Sequence, residues 1–284
     1  MTFKEFWEPL TAIYETGEAK AVARLVMEVR FGLSMTDVVC GKTGDETEML
    51  VLQQRLLAGE PVQYVLGEAA FGGRTFHVEP GVLIPRPETY ELCQWIVESE
   101  AEKADNKGRK EPLRVLDIGT GSGCIACTLA AELPEAEVTA WDISDDALRI
   151  ATENAKRTNV HVSFEKVDVL NTSLLNRERP ATGLDIIVSN PPYICNMERA
   201  TMERNVLEHE PELALFVPDD DPLLFYRTIA RFAAKALNPS GALYFEINPL
   251  YVSEMQQMLS EEGFSHTEIR NDQFGKQRFT KSCL

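Results

Sequence analysis

The chain has 284 residues, of which 44% are hydrophobic and 26% are charged, proportions typical of one large or two unequal globular domains. Its net charge of −17 disfavours binding to nucleic-acid phosphates or anionic membranes. No long apolar run, signal-peptide core or disulfide-like cysteine pattern is present, so we expect a cytoplasmic protein.

The N-terminal part of the chain has helical periodicity. Apolar residues recur at the spacing of one helix face at Val22, Leu25, Val26 and Val29. The segment GDETEMLVLQQRLLAGEP indicates a second helix, in which Gly59 suits the C-terminal cap and Pro61 follows it. We therefore expect a small helical bundle over residues 1–68.

The periodicity then changes to that of an α/β domain. Two short extended runs flank Gly72 and Gly73, which predicts a β-hairpin linker over residues 69–86. A helix from about Pro87 to Ala101 and a charged loop, EKADNKGRKEP, follow. Beyond them, strands alternate with helices, which predicts a mostly parallel, Rossmann-like sheet within residues 87–284. The expected strands are LRVLDIG, EVTAWDI, VSFEKVD, LDIIVSN, GALYFEI and SHTEIRN.

A glycine-rich loop follows the first of these strands, in RVLDIGTGSGCIA. Such a loop before a helix lets a ligand approach bare backbone N–H groups, and both dinucleotides and S-adenosylmethionine are bound in this way. Asp117 precedes the loop, where a carboxylate would repel a pyrophosphate but suits a ligand with an amine and a sulfonium. We therefore expect S-adenosylmethionine to be bound by Asp117, Gly119, Thr120, Gly121, Ser122 and Gly123, and by Asn190 at the end of a later strand.

Acidic residues also end the next two predicted strands. Asp142 can accept hydrogen bonds from both ribose hydroxyls, and Asp168 can accept one from the adenine amine while Val169 packs on the ring. Each acid alone could instead be a helix N-cap, and we assign that role to Asp145 and Asp146. Acids at successive strand ends favour the cofactor interpretation.

The segment LDIIVSNPPYI ends a buried strand with residues that cannot continue a sheet. An amide or aromatic amine is a poor nucleophile, because its lone pair is delocalised, so a methyltransferase needs acceptors that hold its N–H bonds. The Asn190 side-chain oxygen and the Pro191 carbonyl suit this task, Pro192 adds rigidity, and Tyr193 offers a flat face. The alternative, a merely rigid turn, explains the prolines but not Asn190 and Tyr193 together.

Metal chemistry is not indicated. Cys124 and Cys127 form a C-x-x-C pair, but no second pair or histidine follows at a zinc spacing. Because they lie among small apolar residues, we expect them to pack in a helix against the sheet.

With these motifs, the chain closely resembles the release-factor glutamine methyltransferases, the HemK/PrmC family. The segments that carry the resemblance are LIPRPET, GTGSG, WDIS, NPPYI and HEPELAL. The resemblance implies methylation of the glutamine side-chain amide in the Gly-Gly-Gln loop of class 1 peptide-chain release factors, modulating translation termination. It also implies an N-terminal helical substrate-recognition domain and a seven-stranded sheet whose last strand is antiparallel.

The resemblance extends to the site entrance. Arg86 and Glu88, in LIPRPET, are expected to line it together with Asn190, Pro191, Pro192 and Tyr193. A simple loop-to-helix connection explains PRPE nearly as well. The family usually has Glu where this chain has Tyr90, so no acid acts at that position. We expect a monomer with release factors as its protein partners and no nucleic-acid or membrane partner.

Two other functions remain open. An adenine methyltransferase acting on DNA or RNA could use NPPY equally well, although it would need base flipping and a basic surface. A non-catalytic protein could keep the fold only for binding.

Overall fold

A computed structural model describes residues 1–104, 111–171 and 183–284, which form two compact units. The first unit comprises residues 1–68, 78–80 and 202–210, and the second comprises 69–77, 81–201 and 211–284. Most of the expected charged loop lies outside the described residues, and its first residues continue the preceding helix to Ala104. The functional division into a recognition domain, linker and catalytic domain stays a prediction.

The first unit is helical, as the periodicity predicts. Its helices are α1 (Phe3–Trp7), α2 (Thr16–Phe31), α3 (Met35–Val39), α4 (Glu46–Leu57), α5 (Val62–Leu66) and α9 (Arg204–His209). Thr2 and Ser34 form capping boxes, and Gly59 follows α4 with a positive φ of 86°. Local sequence signals therefore set where α1 and α3 begin and where α4 ends.

The buried face of α2 differs from the expected one. Val22 and Val26 are buried, but Leu25 and Val29 are 37% and 38% exposed. Ala19 and Ala23 lie inward instead, because small side chains let α2 approach the rest of the bundle closely. The expected face was wrong at two of its four positions, since hydrophobicity alone does not reveal where a helix needs small residues.

The second unit contains a seven-stranded sheet of β3 (Leu113–Ile118), β4 (Ala136–Asp142), β5 (Ser163–Lys166), β6 (Leu184–Ser189), β9 (Leu237–Glu246), β10 (His266–Asn271) and β11 (Gln277–Cys283). The strand order is β10-β11-β9-β6-β3-β4-β5. Pairs from β9 to β5 are parallel, whereas β11 is antiparallel to both neighbours. The Rossmann-like fold is confirmed, including the antiparallel last strand.

Helices cover both faces of this sheet, in two apolar cores. They are α6 (Pro87–Ala104), α7 (Cys124–Glu132), α8 (Asp145–Arg157), α11 (Leu224–Ala236) and α12 (Val252–Glu261). The predicted hairpin is present as β1 (Glu68–Phe71) and β2 (Arg74–His77). A second small sheet, β7 (Ile194–Cys195) with β8 (Phe216–Val217), was not predicted, and α10 (Glu212–Leu215) directly precedes β8.

The topology locates the functional region. From β3 the chain proceeds through β4 to β5 at one edge, whereas β6 and β9 lie on the other side of β3. Ligands of such sheets bind at the carboxyl ends of the strands, where the order reverses. Among the described residues, no helix has the length and apolar character needed to span a bilayer.

Candidate active site

A cavity of about 360 Å³ lies at the carboxyl ends of β3, β4 and β6, a volume in the range of small-molecule sites. Most residues predicted from the sequence line it: Arg86, Gly119, Thr120, Gly121, Ser122, Asp142, Asp168, Val169, Asn190, Pro191 and Pro192. The predicted residues that do not line it are Glu88, Asp117, Gly123 and Tyr193. The structure thus brings together residues of five predicted motifs.

The backbone donors of the glycine loop are used within the protein. The N–H groups of Gly119 and Thr120 donate to the Trp141 carbonyl at 2.8 and 3.0 Å. Gly121 N–H donates to Asp142 Oδ2 at 2.8 Å. The expectation of bare N–H groups was therefore wrong at these positions, because the turn satisfies its own donors. Three N–H groups of the loop are therefore already bound, which favours S-adenosylmethionine over a pyrophosphate.

Gly123 has a packing role, and its contact with the cofactor stays a prediction. Its φ is +79°, and a Cβ built on it would lie 2.9 Å from the Ala151 Cβ. The missing side chain therefore allows the start of α7 to approach α8.

Asp117 lies behind the loop and is fully buried. Its Oδ2 accepts hydrogen bonds from Thr120 Oγ1 at 2.7 Å and from Ala126 N at 3.2 Å. Its Oδ1 has no hydrogen-bond partner among the described residues, and burial raises the pKa of the carboxyl to about 7. Asp117 therefore holds the loop against α7, and its direct contact with a ligand stays a prediction.

Asp142 ends β4 at the cavity. Its two oxygens accept hydrogen bonds from Gly121 N at 2.8 Å and Ser144 N at 2.9 Å, and burial raises its pKa. Since a carboxylate has further lone pairs, Asp142 can still accept ribose hydroxyls. Ser144, not Asp145 or Asp146, is the N-cap of α8, because its Oγ accepts from Ala147 N.

Beside Asp142, an apolar wall faces the cavity. Ile143 and Leu170 are 43% and 36% exposed and line it together with Val169. Asp168 Oδ1 accepts a hydrogen bond from Leu170 N at 2.9 Å, which fixes the turn after β5. This wall and its acid suit a flat ring with an exocyclic amine. Sequence reasoning missed Ile143 and Leu170, although both directly follow predicted site residues.

Asn190 is anchored by a hydrogen-bond chain that sequence reasoning also missed. Asn190 Nδ2 donates to Thr89 Oγ1 at 3.4 Å, and Thr89 Oγ1 donates to Glu246 Oε2 at 2.6 Å. Thr89 and Glu246 are 3% and 2% exposed. An acid at the end of the apolar run GALYFE was the available sequence signal, because a buried carboxylate needs partners.

Tyr193 also contacts Glu246. Its hydroxyl donates to Glu246 Oε1 at 3.2 Å, and its carbonyl accepts from Asn248 Nδ2 at 3.1 Å. Burial and the nearby carboxylate raise the Tyr193 pKa. Because Tyr193 does not line the cavity, its role as a flat face for the substrate is not supported by this geometry.

The residues of LIPRPET and Tyr90, which follows it, have different roles. Arg86 lines the cavity, whereas Glu88 does not. Tyr90 packs edge-on against Phe71, with ring centroids 5.5 Å apart. Tyr90 is therefore a packing residue.

The C-x-x-C pair packs in the core, as expected. Cys124 and Cys127 are buried free thiols in α7, and burial raises the pKa of each to about 12. Across residues 1–104, 111–171 and 183–284, no cluster of His, Cys, Asp and Glu side chains suits a metal.

Known proteins similar to this chain are methyltransferases. A family model described as "Methyltransferase small domain" matches residues 104–212. The chain is 44% identical over 276 residues to the release factor glutamine methyltransferase of Bacteroides thetaiotaomicron, with 95% of each chain covered. It is 40% identical over 282 residues to the protein of that name from Flavobacterium psychrophilum, covering 98% of this chain and 96% of the other.

A solved structure shares the fold. The 16S rRNA methyltransferase RsmC of T. thermophilus, in complex with AdoMet and guanosine, matches with a TM-score of 0.51 and 20% identity. The match covers 76% of this chain and 49% of that chain.

Proposed function

Because the chain belongs to the release factor glutamine methyltransferase family, we propose that it methylates the glutamine of the Gly-Gly-Gln loop in class 1 peptide-chain release factors and so modulates translation termination. The enzyme is an S-adenosylmethionine-dependent glutamine N-methyltransferase. The bound cofactor supplies an electrophilic methyl group on a sulfonium.

The relatives support glutamine as the substrate, and the orientation of the Asn190 carboxamide supports methyl transfer to an amide nitrogen. Its Nδ2 is directed to Thr89, so Oδ1 is left as an acceptor at the cavity wall. A glutamine amide nitrogen presents two N–H bonds, and Oδ1 accepts one of them.

The backbone beside Asn190 supplies the second acceptor. The Pro191 carbonyl accepts the other N–H bond, and two successive prolines restrict its movement. Holding both N–H bonds turns the face of the amide nitrogen toward the methyl group. The site therefore acts by orientation and proximity, with no general base at the nitrogen.

We assign the cofactor to the rest of the cavity. Asp142 accepts the ribose hydroxyls, while Val169 and its apolar neighbours contact the adenine beside Asp168. The loop from Gly119 to Gly123 borders the methionine part. The donor set fits this ligand, because three N–H groups of the loop are already bound within the protein and acids stand where hydroxyl and amine donors are expected.

An adenine methyltransferase is the second candidate, because Asn190 and Pro191 would hold an exocyclic amine in the same way. The net charge of −17 disfavours a nucleic-acid substrate.

Purified protein should be incubated with labelled S-adenosylmethionine and a class 1 release factor, its Gly-Gly-Ala variant, or duplex DNA. We expect label only in the unaltered release factor. Label in DNA would support the second candidate, and binding of cofactor without any transfer would support a non-catalytic protein.

A further inference from the structure

We propose that Thr89 and Glu246 are positioning residues that determine which end of the Asn190 carboxamide faces the substrate. The proposal rests on the proposed function, in which Asn190 Oδ1 accepts a substrate N–H. A carboxamide can rotate by half a turn and exchange its oxygen and nitrogen with little change in shape. In that flipped state, Asn190 would present a donor to the substrate amide and could not hold it.

The chain of hydrogen bonds has one direction when Glu246 is ionised. A carboxylate only accepts, so the Thr89 hydroxyl donates its hydrogen to Glu246, with Oγ1 and Oε2 2.6 Å apart. The Thr89 oxygen then offers only lone pairs to Asn190. Its partner must be the Nδ2 amide, as observed at 3.4 Å, and Oδ1 is directed away from Thr89.

Glu246 is held in place from several elements. Tyr193 OH donates to its second carboxylate oxygen at 3.2 Å, and Tyr226 OH donates to its backbone carbonyl at 3.0 Å. The titratable and charged groups that face it are Glu88 and Cys93 of α6, Tyr193 after β6, Tyr226 of α11 and Arg278 of β11. Arg278 favours the ionised carboxylate, whereas Glu88 opposes it.

Protonation of Glu246 would reverse this direction. The protonated carboxyl could donate to Thr89 Oγ1, and the Thr89 hydroxyl would then donate to the Asn190 oxygen in the flipped state. Because burial raises the Glu246 pKa above the usual range of a glutamate, the reversal falls at a less acidic pH than for an exposed side chain. We therefore expect turnover to fall as the pH is lowered through the Glu246 pKa.

The first test removes the Thr89 hydroxyl. Thr89→Val should lower kcat about two- to tenfold, because without the hydroxyl a hydrogen bond no longer favours one state of the Asn190 carboxamide. Thr89→Ser should recover most of the rate, since it keeps the hydroxyl. Thr280→Val is the matched control, because Thr280 is fully buried and its hydroxyl has no partner among the described residues. Isothermal titration should show cofactor affinity within about twofold of wild type in all three variants.

The second test measures kcat against pH at saturating cofactor and release factor. The kcat of the wild type should fall as the pH is lowered. The kcat of Glu246→Gln should be low at every pH and should not fall further at acid pH. A purely structural role would lower thermal stability without moving the pH profile. Wild-type kcat in Thr89→Val, or an unchanged acid limb in Glu246→Gln, would overturn the proposal.

The wild-type result separates this proposal from the proposed function. If the wild type methylates the release factor but the variants match it, only the positioning role is wrong. If the wild type does not methylate the release factor, the proposed function fails and the positioning role fails with it.

Discussion

At the scale of single residues, Asn190 has the largest expected effect on chemistry. Asn190→Ala should reduce turnover by roughly two to three orders of magnitude, the cost of losing one preorganised hydrogen-bonding group. Cofactor affinity should stay nearly unchanged, because the proposed contacts with the ribose and the adenine do not involve Asn190. Single-turnover methylation and isothermal titration measure the two quantities separately.

Asn190→Asp is the matched variant, because it keeps the size and an acceptor oxygen but adds a negative charge. The charge should attract the sulfonium, so cofactor affinity should be unchanged or higher. Turnover should still fall, because methyl transfer removes the positive charge that the carboxylate stabilises. Wild-type turnover in either variant would mean that Asn190 is only a turn residue.

Asp117 should make stability depend on pH. Its folded pKa of about 7 exceeds the ordinary 3.8, so the folded state binds its proton more tightly. The resulting stability is fully present below the unfolded pKa and is lost as pH rises through about 7. A shift of about three units corresponds to a loss on the order of 4 kcal/mol.

The variant that tests this dependence is Asp117→Asn. Between about pH 4 and pH 7, the melting temperature of the cofactor-free variant should fall less with rising pH than that of the wild type. Below that window, the difference between the variant and the wild type should become constant. Parallel melting curves of the two proteins throughout the window would contradict the burial effect.

At the scale of elements, the glycine loop can be tested by two similar substitutions. Gly121 and Gly123 both have positive φ, but a Cβ on Gly121 meets nothing within 4 Å, whereas one on Gly123 lies 2.9 Å from Ala151. Each change to Ala should cost about 1–2 kcal/mol for the left-handed backbone. Gly123→Ala should cost a further 1–3 kcal/mol or so, because α7 and α8 must separate.

Urea unfolding of both variants gives the two free energies of unfolding. Gly121→Ala is the control for backbone strain, so the difference between the variants isolates the steric overlap. Equal losses of stability would mean that α8 can move away from α7 with no loss in the free energy of unfolding.

Some parts of the site can be predicted from the sequence, and others cannot. Asp142 and Asn190 were placed correctly at the cavity because each signal is local, a polar residue directly after an apolar strand. The Thr89–Glu246 contact joins positions 157 residues apart, and nothing near either residue reveals the other. The strands β7 and β8 have two residues each, too few for a periodic pattern, and β11 carries polar residues that conceal its strand character.

At the scale of the whole molecule, the excess of acidic residues should affect encounter with the substrate. The chain has 45 Asp and Glu residues against 28 Lys and Arg residues. If this charge steers a basic patch of the release factor, the association rate should fall as salt is raised, because ions screen the attraction. Stopped-flow measurements across a salt series, with sucrose as the uncharged control, test this. An association rate that does not change with salt would contradict electrostatic steering.

We expect this molecule to place one methyl group on one amide nitrogen. The most direct measurement is fragmentation mass spectrometry of a class 1 release factor after incubation with the protein and S-adenosylmethionine. We expect a single added methyl group on the side-chain nitrogen of the Gly-Gly-Gln glutamine, and strongly reduced modification with Asn190→Ala. An unmodified glutamine, or a methyl group on any other residue, would contradict this expectation.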